Sequence, residues 1–114
     1  MDRESKNLKA FVVFCTCPDL KVATELAHKV VESRLAACAN ILPGLTSIYH
    51  WQGKIETASE ILLLIKTTAS AYSKLEKLLV NIHPYECPEV IGLNIEHGTK
   101  GYLQWIEDTV LATC

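Results

Sequence analysis

The sequence predicts an α+β fold: a ferredoxin-like βαββαβ sandwich with a long hairpin between its second and third strands and a further helix at its C-terminal end. Two observations support this prediction. Continuous apolar runs typical of strands alternate with segments whose apolar residues recur at helical spacing, in the order β-α-β-β-α-β-α. Right-handed crossovers fold that order into a sheet with strand order 4-1-3-2 and place both crossover helices on one face.

The two central strands are predicted from uninterrupted apolar runs over residues 10–16 and 60–66, which suit strands buried on both faces. A shorter strand is predicted over residues 90–95. Because the helices cover only one face, one apolar row of the third strand must point at the other. That row is either Ile61, Leu63 and Ile65 or Leu62 and Leu64. Either row needs a cover, so the bare face predicts an oligomer.

Helix boundaries follow from capping residues and proline. Asp19 is the predicted N-cap of the first helix, and either Ser70 or Ser73 is the predicted N-cap of the second. Pro84 ends the second helix, because proline cannot continue the helical hydrogen bonds. The last helix is predicted over residues 99–109.

The hairpin is the longest element. Residues 36–51 and 54–67 are its predicted strands, and Gln52-Gly53 is a two-residue connection of the kind that closes β-hairpins. At about 3.3 Å per residue the first strand is roughly 50 Å long, whereas a domain of this size has a radius of gyration of roughly 13 Å. The hairpin therefore extends beyond its own domain. We expect another chain to cover it.

Length and charge restrict the function. We expect residues 1–9 of the 114-residue chain to be a flexible polar segment and residues 10–114 to form one domain. The net charge is −2 and lysine and arginine do not cluster, so nucleic acid is not an expected partner. No apolar run is long enough for a signal sequence or a membrane span. These features predict a cytoplasmic protein without a membrane partner.

The cysteines indicate metal chemistry rather than a disulfide scaffold. Their number is odd, their spacing is irregular and no CxxC pair occurs, so reduced thiols are expected. The five are Cys15, Cys17, Cys38, Cys87 and Cys114. Reduced thiols are candidate ligands for soft metal ions.

The predicted topology brings one cysteine and one histidine together. The first strand ends near Cys15, and the second helix returns to the same edge of the sheet and delivers His83 beside the fourth strand. Thiolate and imidazole suit copper or zinc rather than a hard cation. Cys17, on the same side of the chain as Cys15, is a candidate auxiliary ligand. Two plainer interpretations stay open: Cys15 as a buried apolar residue and His83 as a charge at the helix C-terminus.

Five segments in fixed order carry a family resemblance. They read FCTCPD, RLAACANILPGLTSIY, WQGK, EILLLIK and HPYECPE, over residues 14–19, 34–49, 51–54, 60–66 and 83–89. Together they resemble the CutA divalent cation tolerance family. The resemblance implies a cytoplasmic homotrimer of ferredoxin-like subunits, associated with tolerance of and response to copper and other divalent cations, with metal bound near subunit contacts.

The resemblance also implies a ligand set. The family's metal-binding cysteine matches Cys15 and its metal-binding histidine matches His83, so copper, or alternatively zinc, is the implied ligand. A second histidine often precedes the first in the family, and Ile82 stands at that position here. This chain therefore has one imidazole fewer than the family pattern.

Other polar and aromatic residues predict contacts between subunits. A polar inter-subunit site is predicted from Glu60, Lys66, Tyr85 and Glu89, and a trimer interface from Tyr49 and Trp51. These residues support an alternative function: a trimeric regulatory or scaffold module, similar in fold to PII signalling proteins, that binds a small anion or a partner protein.

Catalysis is not predicted. Cys15 and His83 would also suit a nucleophile and its base. The sequence has no nucleophile elbow, no glycine-rich phosphate loop and no oxyanion-donating motif. We therefore expect a binding protein rather than an enzyme.

Overall fold

A computed structural model describes residues 9–111 of the chain and arranges them as a four-stranded antiparallel sheet with three helices. The strands are β1 (Ala10–Cys17), β2 (Cys38–Trp51), β3 (Lys54–Thr68) and β4 (Val90–Asn94), and the helices are α1 (Leu20–Glu32), α2 (Ala69–Ile82) and α3 (Lys100–Thr109). The strand order is β2-β3-β1-β4. The predicted fold class and strand order are confirmed.

The two faces of the sheet have different surroundings. Opposite residues of paired strands point to the same face, so Cys15 and Leu63 share one face and Thr16 and Leu62 share the other. The first face is buried under α1 and α2, in a core that contains Val13, Leu63, Ile65, Val30, Leu75 and Leu79. The second face, which we call the open face, carries Val12, Phe14, Leu62, Leu64, Ile91 and Leu93. Of the two predicted rows, Leu62 and Leu64 form the one on the open face.

The hairpin extends beyond the rest of the domain, as its length predicts. The longest axis of the molecule is 54 Å and the other two are 24 and 22 Å. Gln52 and Gly53 at the turn both have positive φ, 51° and 79°, which a type I′ hairpin turn requires. Near the turn Ile48 is 70% exposed and Ile55 is 68% exposed. A single chain thus leaves these large apolar side chains in water.

A bulge in β2 was not predicted. Between Leu42 and Leu45 the strand advances three residues while its partner β3 advances two, from Leu62 to Glu60. Gly44 within the bulge has a φ of 89°, which glycine adopts without strain. The extra residue reverses the alternation of side chains. Odd-numbered residues of β2 beyond the bulge therefore share the open face with Glu60.

Hydrogen bonds at the helix N-termini confirm one predicted N-cap and contradict the other. Asp19 caps α1 as predicted, since its Oδ1 accepts the Val22 N–H at 2.9 Å. The N-cap of α2 is Thr68, whose Oγ1 accepts the Ala71 N–H at 3.2 Å, and neither predicted serine occupies this position. The prediction was wrong because β3 runs directly into α2, so that the last strand residue is also the cap.

The terminal predictions lie mostly beyond the described part of the chain. Of the predicted flexible segment over residues 1–9, only Lys9 is among the described residues. Cys114 also lies outside the described range. Within residues 9–111, no helix combines the length and apolar character needed to cross a membrane.

Candidate metal centre and adjoining cavity

Two cysteines and one histidine meet on the helix-covered side of β1. Cys15 and Cys17 alternate along the strand and point the same way, and His83 follows the last residue of α2. Their candidate ligand atoms all lie within 4.8 Å of one another. The cysteines are fully buried and His83 is 8% exposed. The structure thus brings Cys15 and His83 together, as the topology predicts, with the candidate auxiliary ligand Cys17 beside them.

Both ring nitrogens of His83 make hydrogen bonds. Nδ1 accepts the Tyr85 N–H at 3.1 Å, so the proton of the neutral ring lies on Nε2. Nε2 lies 2.8 Å from the carbonyl oxygen of Thr16 and donates to it. The ring therefore binds to β1 rather than to the carbonyl groups at the end of α2. A metal ion can bind either nitrogen only by replacing one of these hydrogen bonds.

The two thiols interact with each other. The hydrogen bond that Cys15 shares with Cys17, together with burial, raises the pKa of the Cys15 thiol. The same hydrogen bond lowers the pKa of the Cys17 thiol. Glu89 and Glu60 add negative potential, which further raises the pKa of Cys15. Cys17 is therefore the first thiol to ionise, in a potential that favours an approaching cation.

The donor set suits a soft or borderline metal. Two sulfur atoms and one imidazole match the preferences of copper and zinc, whereas calcium and magnesium prefer oxygen ligands. Three protein ligands leave a fourth position open on a tetrahedral ion. Ile82, at the position of the family's additional histidine, packs against the apolar core. Cys17 is the third donor of this cluster, and its spacing of two residues from Cys15 is the sequence signal for it.

A cavity of about 530 Å³ lies on the other side of β1. Thr16, between the two cysteines, points into it from the strand. The remaining walls come from the outer part of the hairpin and the loop before β4, and consist of Ser47, Ile48, Tyr49, Trp51, Glu60, Tyr85, Glu86, Cys87 and Glu89. We call this space the hairpin cavity. It depends on the β2 bulge, which turns Ser47 and Tyr49 toward Glu60.

Tyr85 connects the hairpin cavity with the cysteine-histidine cluster. Its hydroxyl donates to Oε2 of Glu60 at 2.7 Å, while its backbone N–H donates to His83. Its ring also packs on the His83 imidazole, with ring centroids 4.8 Å apart. Burial and the hydrogen bond with Glu60 raise the pKa of Tyr85. The phenol therefore stays protonated and remains a hydrogen-bond donor at neutral pH.

The predicted polar site is only partly assembled. Glu60, Tyr85 and Glu89 line the hairpin cavity, and so do Tyr49 and Trp51. Lys66 does not line it and instead donates to the side-chain oxygen of Asn40. Lys66 lies six positions after Glu60 in β3, which corresponds to about 20 Å along an extended strand. Within one chain Lys66 therefore lies apart from the other three residues, and their meeting across subunits stays a prediction.

Comparison with known proteins identifies relatives over most of the chain. A family profile described as CutA1 divalent ion tolerance protein matches residues 11–109. Human Protein CutA is 54% identical over 93 residues, which are 82% of this chain and 52% of the human protein, so the chain spans about half the length of that relative. Divalent-cation tolerance protein CutA from Escherichia coli is 43% identical over 106 residues, 93% of this chain and 95% of the bacterial protein.

Solved structures of proteins with the same description have the same fold as this chain. The divalent cation tolerance protein Cut A1 from Thermus thermophilus matches with a TM-score of 0.86 and 46% identity, over 89% of this chain and 98% of that one. A structure described as the periplasmic divalent cation tolerance protein CutA from Archaeoglobus fulgidus matches with a TM-score of 0.86 and 34% identity, over 90% and 99% of the two chains. The profile match and these identities show that the chain belongs to the CutA1 divalent ion tolerance protein family.

Proposed function

We propose that this protein serves divalent cation tolerance by binding copper or zinc through Cys15, Cys17 and His83. The observation that carries the proposal is the convergence of three buried donor atoms within 4.8 Å of one another. Among residues 9–111 no other group of three potential ligands is this close together. Their sulfur and nitrogen chemistry fits a soft or borderline ion.

Metal binding at this cluster exchanges existing interactions for metal bonds. The thiols must lose their protons, and His83 must give up its bond to Thr16 or its bond to Tyr85. We expect Cys17 to ionise first because its pKa is lowered by Cys15. Binding should therefore release protons and weaken as the pH falls.

We also propose that the protein assembles as a homotrimer. The open face and the hairpin expose large apolar side chains that nothing within residues 9–111 covers, and Leu93 and Ile91 are both 48% exposed. Antiparallel edge strands and an apolar face allow copies of one chain to close into a ring. Tyr49 and Trp51 are the proposed interface aromatics, so the hairpin cavity would lie beside a subunit contact.

The proposal is a binding function without catalysis, in the cytoplasm. The relatives are described as tolerance proteins, and none of the descriptions names a reaction. The cysteines within residues 9–111 are free of disulfides, as is typical of a reducing compartment. Because one related structure is described as periplasmic, cell fractionation should test the location directly.

Competition titration with Cu(I) and Zn(II) tests the metal site. The wild type should bind metal stoichiometrically, and the double variant Cys15→Ala/Cys17→Ala should bind it more than about tenfold more weakly. The matched control, Cys38→Ala/Cys87→Ala, removes two thiols outside the cluster and should leave the affinity unchanged. Equal affinities for the two double variants, or a wild type that binds neither metal, would contradict the proposal.

The regulatory alternative has one supporting observation, the hairpin cavity. A cavity of about 530 Å³ is of a size that accommodates small ligands. The walls that one chain contributes contain three glutamates and no lysine or arginine, so within that chain the charge disfavours a small anion.

A further inference from the structure

We infer that the cysteine-histidine cluster binds Cu(I) in preference to Zn(II), with fewer than four ligands on the copper ion. The inference rests on the proposed metal site and concerns which ion that site accepts. The first reason is the number of donors. Cys15, Cys17 and His83 form a group of three, and within residues 9–111 no fourth cysteine, histidine or carboxylate side chain joins it. Zinc is almost always four-coordinate in protein sites, so this set is one ligand short of what zinc prefers.

The strands beside the thiols offer no replacement ligand. On the helix-covered face of the sheet, Cys15 is paired with Leu63 of β3 on one side and with Val90 of β4 on the other. Cys17 is paired with Ile61 of β3. All three partners are hydrocarbon side chains, which cannot bind a metal ion. Within the described part of the chain, the fourth ligand of a zinc ion would therefore have to be water.

Water has little access to this position. Cys15 and Cys17 are fully buried and belong to the apolar core, and His83 is 8% exposed. A water molecule on zinc needs hydrogen-bond partners, and placing it among hydrocarbon side chains without them is unfavourable. The carboxylate of Glu60 lies on the open face of the sheet and not on the face of the thiols. Cu(I) avoids this cost, because it is a soft ion that thiolate ligands select and that accepts fewer than four ligands.

The hydrogen bonds of His83 favour the same ion. Its ring nitrogens are bonded to the Tyr85 N–H at 3.1 Å and to the Thr16 carbonyl oxygen at 2.8 Å. An ion that requires the imidazole binds only after one of these buried bonds has been broken. Cu(I) can form its first bonds with the two thiolates alone, and His83 then adds a third. With the thiolates alone, zinc would lack half of its usual ligands. Loss of the imidazole should therefore harm zinc binding more than Cu(I) binding.

Competition titrations of the full-length protein without oxygen test the inference, with bicinchoninate as the competitor for Cu(I) and a pyridylazo chelator for Zn(II). We expect a dissociation constant for Cu(I) at least about a thousandfold below that for zinc. X-ray absorption of the copper-loaded protein should show two sulfur neighbours, fewer than four neighbours in total and no oxygen. Zinc that binds as tightly as Cu(I), or copper with four neighbours, would overturn the inference and leave the proposed metal site standing. A protein that binds neither ion would overturn both.

His83→Gln tests the role of the imidazole. The amide can donate to the Thr16 carbonyl and accept the Tyr85 N–H, so the variant keeps both kinds of hydrogen bond and loses the metal-binding nitrogen. We expect the zinc affinity to fall at least about tenfold further than the Cu(I) affinity. His28→Gln, on the exposed face of α1, removes an imidazole outside the cluster and should change neither affinity. Equal losses for the two ions in His83→Gln would contradict the inference. If this variant does not fold, the wild-type affinities and absorption spectrum decide.

Discussion

The two sides of β1 around Thr16 are built in opposite ways. On the helix-covered side, the buried His83 has a partner for each ring nitrogen, and the Cys15 thiol shares a hydrogen bond with the Cys17 thiol. On the open side, the equally buried Glu60 has one hydrogen-bond donor within residues 9–111, the Tyr85 hydroxyl. The cysteine-histidine cluster is thus hydrogen-bonded within itself and would have to exchange these bonds to hold a metal ion, whereas Glu60 in the hairpin cavity depends on Tyr85 alone among the described residues. A buried group that depends on one partner is more sensitive to the loss of that partner than a group held by several.

The largest effect is expected from His83→Ala. This change leaves the Thr16 carbonyl and the Tyr85 N–H without their partner and opens a space beside the cysteines. We expect the free energy of unfolding to fall by about 3 kcal/mol, measured with urea at fixed protein concentration. The control, His28→Ala on the exposed face of α1, should change it by less than about 0.5 kcal/mol. Equal effects of the two variants would show that the cluster is not stabilised by its own hydrogen bonds.

Tyr85→Phe tests the open side of the comparison. The ring remains, but Glu60 loses the hydroxyl that donates to it at 2.7 Å. We expect a loss of about 2 kcal/mol in the free energy of unfolding, because a buried carboxylate is left without a donor. Tyr102→Phe is the matched control, since its hydroxyl makes only a 3.6 Å contact with the Cys38 sulfur. A Tyr85→Phe variant as stable as the control would mean that Glu60 is solvated rather than held by Tyr85.

Ile48→Lys tests whether assembly involves the cavity side. Ile48 lies near the hairpin turn and lines the cavity, so in the proposed trimer a charge here should weaken association by about tenfold. Val80→Lys places the same charge on an exposed apolar position of α2 and should leave association unchanged. Sedimentation equilibrium measures both. A wild type that sediments as a single chain at micromolar concentration would refute the trimer itself.

The smallest effect concerns the bulge that shapes the cavity. Gly44→Ala should destabilise the fold by about 1 kcal/mol, because φ is 89° there and no neighbour lies within 4 Å of an added Cβ. Gly101→Ala makes the same change in α3, also in open space, and should stabilise the fold by up to about 1 kcal/mol. Thermal unfolding should therefore move in opposite directions for the two variants. A shift in the same direction would contradict the assigned backbone geometry.

Long-range features of the fold followed from the sequence. Apolar runs and turn residues predicted the strand order and the length of the hairpin. Both predictions rest on quantities that can be read from the sequence: the spacing of apolar residues and the number of residues in each extended strand. The meeting of Cys15 and His83 followed from the same topology, since the ends of β1 and α2 lie at one edge of the sheet.

Local geometry was less predictable. The bulge depends on one extra residue in β2, and Pro43-Gly44 is the sequence signal for it, since proline and glycine within a strand often mark a bulge. Without the bulge, the alternation of β2 would place Tyr49 on the face opposite Glu60. The hydrogen bonds of His83 also depend on backbone groups, whose positions no side-chain pattern reveals.

X-ray absorption on the zinc-loaded protein tests the metal proposal most directly. The proposed ligand set predicts two sulfur neighbours at about 2.3 Å and at least one nitrogen at about 2.0 Å from the zinc. Cys17→Ala should remove one of the two sulfur neighbours. A zinc ion surrounded only by nitrogen and oxygen, or a spectrum unchanged by Cys17→Ala, would contradict metal binding at Cys15, Cys17 and His83.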